Sequence, residues 1–86
     1  MNQQLYQLPD IRKISKKGRE LFEAIDPGLR EKYRGWFVAI EVDSEEHFIG
    51  ETEMEADQKA RKEHPGKIFF LGRIGYRTAY TFKGRR

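Results

Sequence analysis

The sequence predicts an α+β domain: an N-terminal amphipathic helix followed by a ββαβ antiparallel sheet, with the last stretch as either an extra C-terminal strand or a tail. Three observations carry that prediction. The run YRGWFVAIEV (33–42) places Trp36, Val38, Ile40 and Val42 two apart, on one face of an extended chain. Residues 10–25 set Ile11, Ile14, Leu21, Phe22 and Ile25 along one helical face. Thr52-x-x-Glu55 has the form of a capping box, which marks a helix start.

Taken in order, residues 1–9 show no periodicity and read as a loose segment closed by Pro9. Asp10 is placed to cap the first helix. Gly18 occupies the apolar stripe and costs about 1 kcal/mol against alanine, so this helix depends on tertiary contacts. Arg12, Lys13, Lys16, Lys17 and Arg19 crowd its first half, mostly off the stripe, as the solvated back of a docked helix. Asp26-Pro27-Gly28 ends it and opens a second short helix, making 10–34 helical.

Residues 35–75 hold the ββαβ core. Gly35 breaks the helix, and the strand that follows is apolar on both faces at Phe37 and Ala39. Such a strand is covered on both faces or sits centrally in its sheet. Asp43 to Glu46 turn the chain, and residues 47–50 return as the second strand of a hairpin. The helix opened by Thr52 uses Glu55 to reach back to the cap's N–H, and stops at Pro65-Gly66. Its stripe of Ala56 and Ala60 lets it lie close on the sheet. KIFFLGRIG (67–75) pairs beside the first strand, giving order 2-1-3, all antiparallel. Residues 76–86 form a basic aromatic tail or strand, with Tyr76, Thr78, Tyr80 and Phe82 alternating.

Eighty-six residues make one small domain (1–86), near the lower limit for a single core. With no cysteine, disulfides and thiolate metal sites are excluded and a reducing, cytoplasmic setting is expected. No run is long and apolar enough for a membrane span, and the polar start MNQQLYQLPD is not a signal peptide. The net charge of +3 hides a strong layout: +3 over residues 1–35, −6 over 36–64 and +6 over 65–86. The last stretch has six cations and no acid, which points to a polarised surface.

No catalytic constellation is present, so the chain is not expected to be an enzyme. His47 and His64 stand far apart in sequence, and His64 falls at a helix C-terminus, where the dipole explains it. Glu41, Asp43, Glu45 and Glu46 lack calcium-loop spacing. Ser15 and Ser44 lie outside any nucleophile elbow. Gly72 and Gly75 precede no helix and make no phosphate loop. Neither metal nor cofactor is expected.

The stretch RIGYRTAYTFKGRR (73–86) has more content. Tyr and Arg dominate protein hot spots, and an exposed strand edge invites strand addition. Tyr76, Arg77, Tyr80 and Phe82 are therefore candidate anchors for a protein partner, either another protein or a second copy in a homodimer. Alternatively, Arg73, Arg77, Lys83, Arg85 and Arg86 bind phosphates while the rings stack on bases, as single-stranded nucleic acid requires. A third reading has the rings covering the core of their own sheet.

Tyr33, Gly35, Phe37 to Ile40, Gly50, Thr52, Glu55, Ala60, Arg61, Pro65 and Gly66 together resemble a family of short prokaryotic ββαβ domains of unknown function. Its pattern is Tyr-x-Gly-x-x-Val-Ala-Ile, a hairpin, Gly-x-Thr-x-x-Glu, Ala-Arg and Pro-Gly. The resemblance covers about half the chain and implies genes beside small retropepsin-like proteases or toxin–antitoxin-like loci. Gly50, Thr52, Glu55 and Ala56 are also similar to the partner-binding domain of HicB-like antitoxins, though the Pro-Asp-Leu-Pro-Gly segment of those domains is missing here. Both resemblances imply a non-enzymatic binding module, antitoxin-like or accessory to a protease.

Overall fold

Two helices, a hairpin, a third helix and two further strands follow one another along the chain: α1 (Ile11–Glu23), α2 (Pro27–Lys32), β1 (Phe37–Glu41), β2 (Glu46–Gly50), α3 (Glu53–Glu63), β3 (Phe69–Arg73) and β4 (Thr81–Lys83). The computed structural model describes residues 10–76 and the backbone of 81–83. The strands form one antiparallel sheet in the order β2-β1-β3-β4, so the fold is α+β and β1 lies inside its sheet. No helix among the described residues is long and apolar enough to cross a membrane.

The alternation along β1 divides the core in two. Val38, Ile40 and Val42 pack with Ile14, Phe22, Ile25, Phe70 and Ile74 under α1. Ala39, on the opposite face, packs with Ala56 and Ala60 of α3 and with Phe69 and Leu71 of β3. Both faces are therefore covered, and full burial of each large apolar side chain contributes about 1.5–3 kcal/mol. Ile11 departs from the expected stripe and is 45% exposed, because it lies at the first turn of α1, beyond the sheet contact.

The helices are capped as their sequences require. The Asp10 carboxylate accepts from the Arg12 and Lys13 N–H groups, and Asp26 accepts from Gly28 and Leu29. Thr52 Oγ1 accepts from Glu55 N at 3.1 Å. The reciprocal bond differs from the expected box: Glu55 Oε1 accepts from Glu51 N at 2.7 Å, one residue before the cap. The bond still places a carboxylate at the N-terminal end of α3, where the helix dipole favours it.

Several boundaries also differ from those expected. Tyr33 caps α2, and Gly35 turns the chain at φ 89°, so the strand begins at Phe37. Glu45, at φ 65°, closes the hairpin turn and β2 starts at Glu46. At the other end Gly75, at φ 92°, turns the chain after β3. Tyr76 therefore closes a turn and is not the first residue of a strand, and β4 among the described residues is Thr81–Lys83.

Close packing of α1 on β3 rests on two glycines. A methyl at Gly18 would stand 2.5 Å from Phe70 Cβ, and one at Gly72 would stand 2.7 Å from Phe22 Cε1. Each ring lies over the other element's glycine. Gly18 therefore trades intrinsic helix stability for contact with the sheet.

Candidate binding surface

Where β3 ends, the backbone holds a short stack of side chains. Gly35 N donates to Ile74 O at 2.7 Å, Ile74 N to Trp36 O at 2.8 Å, and Tyr76 N to Arg73 O at 3.1 Å. Within this frame Arg73 Nε donates to the Gly35 carbonyl at 3.1 Å. The Arg73 guanidinium lies 5.2 Å from the Phe37 ring centroid and 4.4 Å from that of Tyr76. Tyr76 is 49% exposed. An exposed ring is thus held against a cation that is already oriented, so little conformational freedom remains to be lost on binding.

Tyr76 also borders a cleft of about 900 Å³ between α1, α2 and the end of β3. Its floor includes Phe22, Ile25 and Ile74, and its rim includes Arg19, Arg30 and Arg34 with Glu23 and Glu31. Arg30 is committed locally: its Nη2 donates to the Glu23 and Ile25 carbonyls, both at 2.8 Å. That satisfies acceptors left open where α1 ends. Sequence reasoning passed over these three arginines because Arg19 read as part of a solvated helix back and the others as part of a minor helix.

Arg73 and Tyr76 are brought together as one feature. Phe82 and Lys83 lie in β4, in register with Phe70 and Phe69. Arg77, Tyr80, Arg85 and Arg86 fall outside the described residues. The backbone of Thr81–Lys83 thus pairs with the chain's own sheet, as the fourth-strand reading expects.

A polar network lies at the opposite end of the sheet. Glu41 is 3% exposed and accepts from Asp43 N at 3.2 Å and Ser44 N at 2.9 Å. Lys67 Nζ lies 2.8 Å from Asp43 and 3.7 Å from Glu41. His64, the C-cap of α3, binds Glu46 of β2 at 2.7 Å and lies edge-on to Phe48. Burial pushes the Glu41 carboxyl up, but hydrogen bonds from Ser44 and Asp43, with the Lys67 charge, outweigh it and hold it below its ordinary value. The network ties the hairpin turn to the end of α3. Among the described residues, no three His, Asp or Glu side chains converge as metal ligands.

No family model, curated protein or solved structure matches the chain, so a functional reading must come from these surfaces.

Proposed function

We propose that this chain is a non-enzymatic, cytoplasmic protein-binding module whose contact surface is the β3–β4 end of the sheet, with Tyr76 on Arg73 as its anchor. The observation that supports this is an exposed tyrosine stacked 4.4 Å from a fixed guanidinium beside an edge strand. Tyr and Arg together are the side chains that concentrate binding energy in protein interfaces. A partner of this kind fits the antitoxin-like or protease-accessory role that the sequence resemblances imply.

The test is capture from host lysate, with and without nuclease, using the native chain and Tyr76→Ala. We expect a protein that survives nuclease and binds the variant at least about 30-fold more weakly, the loss of one hot-spot side chain. Capture that disappears with nuclease, or that falls by orders of magnitude between about 50 and 200 mM salt, would instead support nucleic acid on the cleft arginines.

A further inference from the structure

Among the described residues the half-buried basic side chains are Lys17, Arg61, His64 and Arg73. Three of these four have a carboxylate of their own. Lys17 lies 3.1 Å from Glu45, Arg61 2.9 Å from Asp57 and His64 2.7 Å from Glu46. Arg73 is the exception. Its side-chain contacts are the Nε bond to the Gly35 carbonyl and the rings of Phe37 and Tyr76, with no acid at ion-pair distance among the described residues.

A guanidinium carries five N–H donors. Arg73 spends one on Gly35, and the ring faces engage its charge without taking a hydrogen. The donors of its two Nη groups therefore have no acceptor among the described residues. They form the terminal fork that fits a planar carboxylate through two parallel bonds. Gly35 and the two rings hold that fork in one orientation, so pairing costs little side-chain freedom. Partial burial has already removed some of its hydration, which lowers the cost of closing a partner over it. Arg34, another arginine at this turn, differs. Its stem lies over Gly75, but the side chain is exposed and makes no hydrogen bond or ion pair among the described residues, so nothing fixes its fork.

We infer that the anchor receives an Asp or Glu side chain of the partner protein, its carboxylate bound end-on by the Nη fork of Arg73 beside the exposed Tyr76 ring. This rests on the binding-module reading and names the chemistry that the module recognises. A second copy of the chain is a poor source, because the acids of its hairpin are engaged: Asp43 by Lys67, Glu45 by Lys17 and Glu46 by His64. A phosphate backbone fits less well than a single carboxylate, because Glu23 and Glu31 line the cleft that Tyr76 borders and repel a row of negative charges.

The probe is a displayed library of random short peptides, selected on the full chain. We expect the selected peptides to share one Asp or Glu position. The leading peptide is then synthesised, labelled and titrated by fluorescence anisotropy, both as selected and with that acid replaced by its amide. The amide peptide should bind the native chain roughly tenfold more weakly, the loss of a charge-assisted fork. Arg73→Gln should weaken the acidic peptide by a similar factor and make the amide replacement nearly neutral, so that the two losses do not add. Arg34→Gln removes the same charge from the same turn and should cost less than about threefold. Arg73→Lys keeps the charge without the fork and should recover only part of the affinity. Thermal melts establish that each variant is folded, and the comparison of acid with amide on the native chain needs no variant.

Selected peptides without a shared acid, an amide peptide that binds as tightly as its parent, or equal losses for Arg34→Gln and Arg73→Gln would overturn the inference. So would a single-stranded oligonucleotide that binds more tightly than the peptide, or a dimer in sedimentation that Arg73→Gln dissolves. If the acid proves irrelevant while Tyr76→Ala still abolishes nuclease-resistant capture, the carboxylate is wrong and the binding-module reading stands. If both fail, both readings fall.

Discussion

Gly18→Ala sets helix propensity against packing, and the structure decides which wins. In an isolated helix the change stabilises by about 1 kcal/mol. Here the new methyl would stand 2.5 Å from Phe70 Cβ and closer still to the ring. Rotation about χ1 can move the ring but not Cβ, so relief requires α1 and β3 to separate. Phe70 is 1% exposed, and the reciprocal seat of Phe22 on Gly72 resists that movement. Overpacking of this kind costs about 1–3 kcal/mol. With backbone displacement required, the upper end applies, and a net loss of about 2 kcal/mol remains after the propensity gain. For a domain of this size that lowers the melting temperature by roughly 8–16 °C. Urea and thermal unfolding followed by circular dichroism would measure it. Combining the change with Phe70→Leu should recover part of the loss, with a coupling of about 1 kcal/mol. A Gly18→Ala protein more stable than the parent would mean that α1 does not rest on Phe70, and the account of this core would be wrong.

Three further outcomes follow from the geometry. Thr52→Ala removes the bond to Glu55 N and should cost about 1 kcal/mol, read from the urea midpoint. Lys59→Met frees the Ile49 carbonyl on the β2 edge and should produce more concentration-dependent association in sedimentation velocity than the parent. The third concerns pH. Glu41 is held below its ordinary 4.5, and the Lys67 hydrogen bond and charge hold Asp43 below its ordinary 3.8. Both stabilise the fold above those values and lose that contribution as pH falls through the depressed folded values. Lys67 is raised above 10.5, first by its bond to Asp43, so its contribution is complete below 10.5 and is lost as pH rises through the folded value. Stability should therefore plateau between an acid and an alkaline limb. Lys67→Met should shallow the acid limb and remove this residue's part of the alkaline one, in unfolding curves recorded across both.

What was legible in the sequence was periodic or local. β1 showed its two faces because side chains alternate, and each face found its own helix. Asp10, Asp26 and Thr52 cap helices through neighbours two or three residues away, which a sequence displays directly. The Glu55 bond was misplaced by one residue because its acceptor geometry depends on how the chain enters α3 from β2. Gly18 looked like a weakness because propensity is local, whereas its reason, Phe70, lies fifty-two positions further along the chain.

The candidate site was less legible for the same reason, and α1 shows where the information was missing. Its five early cations are equivalent on a helical wheel until one of them is tied to something. The bond from Lys17 to Glu45 supplies that tie, and it exists only because the hairpin returns beneath the helix. Once it is fixed, helical geometry assigns Arg12 and Arg19 to the other flank without further contacts. Charge counting alone treats all five as one basic patch and favours a polyanion. Partitioned by the fold, Lys17 is held by the hairpin turn, and Arg19 lines the cleft beside Tyr76 at the far end of β3.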